Sequence, residues 1–363
     1  RGSIVSTAAG FLSAGLLAGD PVLVSCSISP ASTLAYLGAM YAGLVPIPIE
    51  DRVLDTSGEA ICLKTRSKAV WTGKEAQCAW VKRAGLLHFF GRFNVASHSS
   101  LGPVARAEND LAALMPTSGS TGVPRLVRVT HGNLTANTEA IIRSQFLGIG
   151  EQAMLILPLN YCFGASVIHT HLYQGGGVVF DSRFMFPDKV LRAINTYACT
   201  TFAGVPTVYN ILVARSSIRS IPMPSLRRFL QAGGPLARQV IQMMRDIVPT
   251  AHFFTMYGQT EATARISCLP PDRLDDKTGS VGLLLDNLIL RIVDEEGIEL
   301  PKGENGEIWV KGPSICDGYF EDPEEGARKF CDGWLKTGDI GSGASPASLA
   351  AGDRIRSDDR CLR

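Results

Sequence analysis

Small, hydroxylated and glycine residues fill a nine-residue segment between two short apolar runs. The segment reads Thr117-Ser118-Gly119-Ser120-Thr121-Gly122-Val123-Pro124-Arg125. The apolar runs, residues 111–115 and 126–129, predict two strands that hold a loop at both ends. Glycines let backbone N–H groups surround an anion, hydroxyl groups add donors, and Arg125 supplies a permanent positive charge. The loop is therefore a candidate phosphate-binding site.

A flexible surface loop is the alternative, because clusters of serine, threonine and glycine are usually no more than that. Two other phosphate-binding motifs do not occur in this sequence. A Walker loop requires Gly, four residues and then Gly-Lys-Ser/Thr, and the dinucleotide fingerprint requires Gly-x-Gly-x-x-Gly at the start of a helix. The residue types alone leave both interpretations of the loop open.

A second motif, Tyr257-Gly258-Gln259-Thr260-Glu261, follows a predicted strand over residues 252–256. Mg²⁺ typically takes one or two protein oxygens and completes its shell with phosphate and water. A carboxylate at a strand end beside a phosphate loop suits that ion, so Glu261 is the predicted metal ligand and the Thr121 hydroxyl is the second candidate. Taken singly, Glu261 would more often be a solvated or salt-bridged carboxylate.

These two motifs and a third, Thr337-Gly338-Asp339, stand in an order that resembles the AMP-forming acyl/aryl-CoA ligase and adenylation-domain superfamily, the ANL enzymes. The resemblance extends from near residue 1 to about residue 340. Most of that superfamily has Lys-Gly where this chain has Arg125-Leu126. Arg125 keeps the positive charge, while Leu126, Gln259 and the run Gln231-Ala232-Gly233-Gly234 resemble a subgroup of CoA or acyl-carrier-protein ligases.

The resemblance implies roles for individual residues. Tyr257 would stack on adenine and Asp339 would bind the ribose, whose vicinal diol needs an acceptor carboxylate. The segment around Gly233 would pass adenine on one side and the acyl pocket on the other. The implied nucleotide-binding residues are Thr117, Ser118, Gly119, Ser120, Thr121, Gly122, Gly233, Gly234, Pro235, Tyr257, Gly258, Gln259, Thr260, Glu261 and Asp339.

The remaining predicted site residues concern catalysis and the acid substrate. The catalytic set is Thr121, Arg125 and Glu261, of which Thr121 and Glu261 would hold the metal. The substrate set is Tyr161, Phe163, Gly204 and Gly233. Tyr161 and Phe163 are explained equally well as core aromatic residues.

The implied reaction is the attack of a small carboxylic acid on ATP with Mg²⁺, which forms acyl-AMP and pyrophosphate. A thiol of CoA, or the phosphopantetheine of an acyl carrier protein, then displaces AMP. Such a step depends on positioning and charge neutralisation and needs no protein nucleophile. The competing hypothesis is a catalytically impaired, nucleotide-binding remnant of such a ligase. The identity of the acid, the choice of acceptor and the oligomeric state stay open.

Alternating apolar strands and helices predict an α/β fold with doubly wound, mostly parallel sheets. We expect two packed α/β subdomains over residues 1–270 and a small antiparallel β subdomain over residues 271–341. The superfamily's C-terminal lid domain is absent from the sequence. Residues 342–363 lose apolar periodicity and are expected to form a disordered tail, for which a disrupted reading frame near residue 341 is the hypothesis.

Composition narrows the class of protein. The 363 residues carry a net charge of +1, so no overall field attracts nucleic acid or an anionic membrane. Nine cysteines without regular spacing argue against a disulfide framework or a zinc site and fit the cytoplasm. The uncharged stretches 21–49 and 153–180 are interrupted too often for transmembrane helices. The first residue, Arg1, indicates an incomplete or processed N-terminus.

Overall fold

The computed structural model describes residues 2–74, 79–91, 93, 101–117, 123–277, 279–345 and 348–351. The chain divides into two compact units. The first comprises Arg1–Leu134, Pro158–Ala165 and Cys316–Gly326, and the second comprises Thr135–Leu157, Ser166–Ile315 and Ala327–Arg363. Among the described residues, no helix is both long enough and apolar enough to cross a bilayer.

The first unit contains a four-stranded parallel sheet with the strand order β2-β1-β3-β4, and an antiparallel pair of β5 and β6. The inner part of this sheet is almost entirely buried, as expected for a parallel sheet covered on both faces, whereas the edge strand β4 is partly exposed. The elements are α1 (Gly2–Ser13), β1 (Pro21–Cys26), α2 (Pro30–Tyr41), β2 (Val45–Glu50), α3 (Asp51–Thr65), β3 (Ala69–Thr72), α4 (Ala79–Arg83), β4 (Leu87–Phe90), β5 (Leu111–Pro116) and β6 (Leu126–Thr130).

The second unit is built on one twelve-stranded sheet. Strands β8, β7, β9, β10 and β11 are neighbours in that order and run parallel. The elements from α5 to β12 are α5 (His131–Ser144), β7 (Gln152–Leu155), α6 (Cys162–Tyr173), β8 (Gly177–Phe180), α7 (Pro187–Thr196), β9 (Thr201–Gly204), α8 (Pro206–Arg215), β10 (Arg228–Gln231), α9 (Arg238–Ile247), β11 (His252–Tyr257) and β12 (Ser267–Leu269). The predicted α/β fold with parallel sheets is confirmed.

The strands after residue 271 are antiparallel, as predicted, but they continue the same sheet. Strand β12 pairs with β11 and with β13, and the order continues through β18, β17 and β15 to β14. Backbone hydrogen bonds therefore carry the sheet across residue 270, where the sequence predicted the start of a separate β subdomain. These elements are β13 (Ser280–Leu284), β14 (Ile289–Val293), β15 (Gly306–Lys311), α10 (Pro323–Lys329), β16 (Phe330–Cys331), β17 (Trp334–Ser345) and β18 (Ser348–Ala351).

The predicted disordered tail is wrong for its first part. Residues 342–345 extend β17, and Ser348–Ala351 form β18, which pairs antiparallel with both β13 and β17. Backbone N–H and C=O groups make these pairs, so the strand forms without the apolar periodicity on which the sequence prediction relied. Residues 346–347 and 352–363 lie outside the described residues.

Aromatic side chains fix the parallel strands of the second unit. Phe202, Phe229 and Phe253 occupy neighbouring strands, and Tyr209 of α8 packs against all three with ring centroids 5.2–6.2 Å apart. All four side chains are buried. Such rings contribute a large buried apolar area and a defined contact geometry. They therefore hold β9, β10 and β11 in place against α8.

A buried ion pair fixes the start of β10. The Arg228 guanidinium contacts the Glu151 carboxylate and donates hydrogen bonds to the carbonyl oxygens of Gln145 (2.9 Å from Nε) and Phe146. Both charged side chains are over nine-tenths buried. Removing one partner of such a pair leaves a buried charge without compensation, which is far more costly than losing an exposed pair.

Arg228→Met should lower the free energy of unfolding by about 3–5 kcal/mol, because Glu151 then stays buried without its partner. The matched control is Arg143→Met, which breaks an exposed pair with Asp286 and should cost no more than about 1 kcal/mol. Urea unfolding at neutral pH measures both values. Similar losses for the two variants would contradict this account of the Arg228 pair.

His171 of α6 is a buried histidine held neutral by its surroundings. Its side chain is 1% exposed, and Nδ1 lies 2.9 Å from the Val167 carbonyl oxygen. Burial lowers its pKa to about 4, against an ordinary value near 6.5. Between pH 6.5 and pH 4, His171 binds a proton in the unfolded chain but not in the folded chain. The stability that neutral His171 contributes is therefore complete above pH 6.5 and is lost as the pH falls towards 4.

His171→Asn should flatten the loss of stability between pH 6.5 and pH 4 while keeping a donor for Val167. Denaturant midpoints measured at pH 7.5, 5.5 and 4.5 for the parent and the variant test this. Parallel curves for the two proteins would show that His171 does not carry the pH dependence.

Candidate active site

The second unit contains a cavity of about 940 Å³ at the carboxyl ends of β10 and β11. This is where an open α/β sheet is expected to bind its ligands. Six predicted site residues line it together: Gly233, Gly234, Pro235, Tyr257, Gly258 and Asp339. The other lining residues are Leu236, Arg238, Ile241, Gln242, Arg245, Thr255, Met256, Leu269, Leu274, Asp275, Gly279, Ser280, Val281, Ile308 and Ile340.

The glycine wall of the cavity is the turn that follows β10. Gly233 and Gly234 have φ values of 82° and 154°, which side chains other than glycine rarely adopt. The buried Gln231 holds the turn, because its Nε2 donates a 2.6 Å hydrogen bond to the Gly234 carbonyl oxygen. The turn therefore presents a flat, side-chain-free surface, as the sequence predicted for a ring-shaped ligand.

A second wall comes from the end of β11. The Tyr257 carbonyl oxygen accepts a 2.9 Å hydrogen bond from Ile266 N, where the chain returns to form β12. A side chain at position 258 would meet the Ala264 carbonyl oxygen at 1.9 Å, so only glycine permits this return. Gly258 thus places Tyr257 at the cavity by allowing two backbone segments to approach closely.

The third wall is the Thr337-Gly338-Asp339 turn within β17. The buried Thr337 hydroxyl donates to the Ile308 carbonyl oxygen at 2.7 Å and accepts from Asp339 N at 3.1 Å. Gly338 has a φ of 76°, and its N–H donates to the Glu307 carboxylate at 2.9 Å. The threonine anchors the segment and the glycine permits a bulge where the register of β17 against β15 shifts, and the Asp339 residue lines the cavity.

Two of the predicted residues contact each other directly. The Tyr257 hydroxyl donates a 2.6 Å hydrogen bond to Asp339 Oδ2. Partial burial and the neighbouring Asp339 carboxylate raise the pKa of Tyr257 well above its usual value. The hydroxyl therefore stays protonated and remains a donor at neutral pH.

The next three residues, Gln259, Thr260 and Glu261, come directly after the cavity-lining Gly258 but do not line the cavity themselves. Gln259 Nε2 lies 3.4 Å from the Thr337 carbonyl oxygen, while Thr260 and Glu261 lie on a short 3₁₀ turn, Thr260–Ala262. Glu261 is partly exposed, so its carboxylate can meet a hydrated cation. No cluster of three or more His, Cys, Asp or Glu side chains suited to a metal occurs among the described residues. A Mg²⁺ ion that takes one or two protein oxygens fits such a donor set.

The ends of the predicted phosphate loop belong to the first unit. Strands β5 and β6 pair antiparallel up to Pro116 and Leu126, and Thr117 N donates to the Arg125 carbonyl oxygen at 2.9 Å. The loop is therefore held at both ends, as predicted. Ser118, Gly119, Ser120, Thr121 and Gly122 lie outside the described residues.

Arg125 is engaged by acidic residues that the sequence analysis did not connect with it. Its guanidinium lies 3.3 Å from Asp322 and 3.5 Å from Glu325, and 5.9 Å from the centre of the Tyr319 ring. Its side chain is 48% exposed, so these pairs contribute no more than about 1 kcal/mol. A phosphate group can therefore replace the carboxylates at little cost.

The residues predicted to bind the acid are placed in different units. In the first unit, Tyr161 is 42% exposed and Phe163 is buried. In the second unit, Gly204 ends β9 beside Gln231, and a side chain there would meet Val208 at 2.7 Å. Of this set, Gly233 lies on the 940 Å³ cavity described above.

Sequence reasoning missed the face of α9 that lines the cavity. Arg238, Gln242 and Arg245 recur at helical spacing, and Arg245 pairs with Asp275 at 2.6 Å. Their i, i+4, i+7 spacing directly after the glycine turn was the available signal. Thr255 was also missed: its buried hydroxyl has no hydrogen-bond partner among the described residues, and the residue lines the cavity.

A flat glycine wall, an aromatic ring and a carboxylate around one cavity suit a nucleoside, which has a planar base and a ribose diol. The AMP-binding enzyme family model matches residues 4–320. The chain belongs to this family. Relatives with assigned activities include feruloyl-CoA synthase of Amycolatopsis sp, 30% identical over 97% of this chain and 72% of that protein. A 4-coumarate–CoA ligase of Vanilla planifolia is 27% identical over 94% of this chain and 67% of that protein.

Three solved structures share the fold of this chain. VinN superposes with a TM-score of 0.84 at 25% identity, over 97% of this chain and 90% of that one. The o-succinylbenzoate CoA synthetase of Bacillus subtilis, solved with its acyl-adenylate intermediate, gives a TM-score of 0.85 at 24% identity, over 97% and 72% of the two chains. The N-terminal domain of FACL13 from Mycobacterium tuberculosis gives 0.85 at 22% identity, over 97% and 91%. The family and the CoA ligases among the relatives make this chain an AMP-forming acid–CoA ligase.

Proposed function

We propose that the cavity of the second unit binds the adenosine part of ATP and of the acyl adenylate. The observation that carries the proposal is the meeting of Gly233, Tyr257 and Asp339 on one cavity, although they are widely separated in sequence. The base stacks on the Tyr257 ring beside the glycine wall. The Asp339 carboxylate accepts a hydrogen bond from the ribose.

We propose further that the triphosphate is bound by the loop from Thr117 to Gly122 and by Arg125. The Arg125 guanidinium can bind phosphate, and its exposed pairs with Asp322 and Glu325 are weak enough to yield to that group. Mg²⁺, held by Glu261 and Thr121, would neutralise negative charge on the phosphates. The chain then acts by holding the carboxylate in line with the α-phosphorus and by stabilising the developing charge.

The proposal also concerns which thiol accepts the acyl group and which acid is activated. The relatives are named as CoA synthases and CoA ligases, so CoA is the first acceptor to test and a carrier-protein phosphopantetheine is the second. Ferulate and 4-coumarate, after which the relatives are named, are the first acids to test, with aliphatic acids of similar length for comparison. As residues that contact the acid we propose Gly204 and Gly233 of the second unit and, in the first unit, Tyr161 and Phe163.

A panel of carboxylic acids incubated with ATP and Mg²⁺ tests the activity through pyrophosphate release and mass-spectrometric detection of acyl-AMP. Acid-dependent release of pyrophosphate supports the proposal. Stabilisation by ATP without any release across the panel would indicate a nucleotide-binding remnant instead.

Asp339→Ala should weaken ATP binding about 10- to 100-fold, because a hydrogen bond to a charged group is lost. Pyrophosphate, which has no ribose, should bind the variant and the parent equally. Isothermal titration measures both affinities. Equal weakening of ATP and pyrophosphate would remove the ribose role of Asp339.

Glu261→Gln should abolish the Mg²⁺-dependent part of ATP binding with little loss of stability, because it removes a charge from a partly exposed turn rather than a core contact. Thermal shift with ATP, with and without Mg²⁺, is the measurement. The matched control is Glu304→Gln, an exposed loop carboxylate of the same unit. If ATP and Mg²⁺ stabilise the Glu261 variant as much as the parent, the metal assignment is wrong.

A further inference from the structure

The net charge of +1 is unevenly distributed along the chain. Residues 182–245 contain nine Lys and Arg residues and a single acidic residue, Asp188, so this stretch carries a charge of +8 while the rest of the chain sums to −7. Ion pairs with carboxylates neutralise three of the nine cations, Arg183, Arg228 and Arg245. The other six are exposed on the second unit. A local positive surface can attract an anionic partner although the whole chain is nearly neutral.

Two of these cations lie where the start of α7 meets the segment after α8. Ser217 N donates a 2.7 Å hydrogen bond to the carboxylate of Asp188, in the first turn of α7. Arg215 is the last residue of α8, and Arg219 follows Ser217 by two positions. Both arginine side chains are exposed, and neither makes an ion pair with a carboxylate in the described part of the chain. The hydrogen bond therefore brings both cations to the edge of the unit where α7 begins.

An exposed apolar turn precedes α7 at the same edge. Met185 and Phe186 are 88% and 61% exposed, while the adjacent Phe184 packs against the core of the unit. The Lys189 ammonium lies 4.8 Å from the centre of the Phe186 ring. Arg192, almost one helical turn further along α7, is also exposed. Two large apolar side chains thus stand out of the surface among cations, which is a pattern typical of an interaction site.

A bilayer that contains anionic lipids matches both the apolar and the charged part of this surface. Anionic headgroups attract Lys and Arg side chains near the membrane. Phe and Met side chains gain from burial at the boundary between headgroups and acyl chains. A nucleic acid duplex would use the cations but leave the apolar turn in water. We name the surface formed by Met185, Phe186, Lys189, Arg192, Arg215 and Arg219 the docking edge.

We propose that the docking edge binds the second unit to a membrane surface that contains anionic lipids. The fold already has the shape that this contact needs, because α7 buries Val190, Leu191 and Ile194 in the core and leaves Lys189 and Arg192 outside. Lys and Arg side chains have long aliphatic stems, so their charges can reach the headgroups while the apolar turn inserts. The contact is independent of nucleotide binding.

Co-sedimentation of the full chain with lipid vesicles is the experiment. One set of vesicles contains phosphatidylcholine alone, and the other contains equal parts of phosphatidylcholine and phosphatidylglycerol. The parent should bind the mixed vesicles and leave the neutral vesicles unbound. Its binding should fall as the salt concentration is raised, since salt screens the attraction between the cations and the headgroups.

Two double variants separate the parts of the docking edge. Met185→Ser with Phe186→Ser removes the apolar turn and keeps every cation, and it should weaken binding to mixed vesicles about tenfold or more. Arg215→Gln with Arg219→Gln keeps the apolar turn, and it should also weaken binding about tenfold or more. All four side chains are exposed, so the thermal unfolding midpoints should match that of the parent.

Matched controls change equivalent side chains elsewhere on the second unit. Ile298→Ser removes a 64% exposed apolar side chain from the connection between β14 and β15. Lys277→Gln with Lys302→Gln removes two exposed charges. Both controls should bind mixed vesicles as the parent does.

The outcomes decide the proposal without any measurement of catalysis. A parent that binds neither kind of vesicle, or binds both equally, would overturn it. Weakening by the controls as large as that by the docking-edge variants would also overturn it. A loss confined to the arginine variant would indicate adhesion of a basic surface to any polyanion, and a loss confined to the Met185 and Phe186 variant would remove the role of the cations. Either result would overturn the proposal, because it requires both parts of the docking edge.

Discussion

The return of the chain after β11 is the constraint on which the rest of the second unit depends. Gly258 lets the backbone at Ala264 pass so closely that no side chain fits between them. Strand β12 can then pair antiparallel with a parallel strand and extend the sheet towards β17. This change of direction brings the Thr337-Gly338-Asp339 turn to the cavity that the glycine turn after β10 also lines. The proposed adenosine site therefore forms because the sheet continues from β11 through β12 towards β17.

Positioning, rather than a reactive side chain, explains how such a site works. The groups that line the cavity are a turn of bare backbone, a phenol that stays protonated and a carboxylate with one engaged oxygen. Each is held by hydrogen bonds to neighbouring backbone or side chains before any ligand arrives. Groups that are already oriented need no reorganisation when charge develops in the transition state. An acid and ATP held in line can therefore react without a protein nucleophile.

The sequence predicted those site residues whose chemical type indicates their role. Glycines at strand ends and an aspartate in a Thr-Gly-Asp turn indicate backbone reversal and an acceptor, and the structure brings Gly233, Tyr257 and Asp339 together. The parallel strands were also predictable, because buried strands are continuous apolar runs. The pairing of Arg125 with Asp322 and Glu325 was not predictable, since nearly 200 positions separate the partners and no local pattern records the contact.

Packing and backbone pairing account for the elements that local patterns missed. Helix α3 carries Gly58, a poor helix former, at a point where a side chain would meet the Trp80 ring at 2.6 Å. Tertiary packing thus requires a residue that weakens the helical signal. Strand β18 has no apolar alternation to reveal it, because main-chain hydrogen bonds to two neighbouring strands define it.

A crystal structure of this chain with a non-hydrolysable acyl-adenylate analogue tests the central claim most directly. The account predicts the adenine ring on the face of Tyr257 beside Gly233 and Gly234, with the ribose within hydrogen-bond distance of the Asp339 carboxylate. An analogue bound elsewhere on the chain, or bound in this cavity with its ribose turned away from Asp339, would contradict the account.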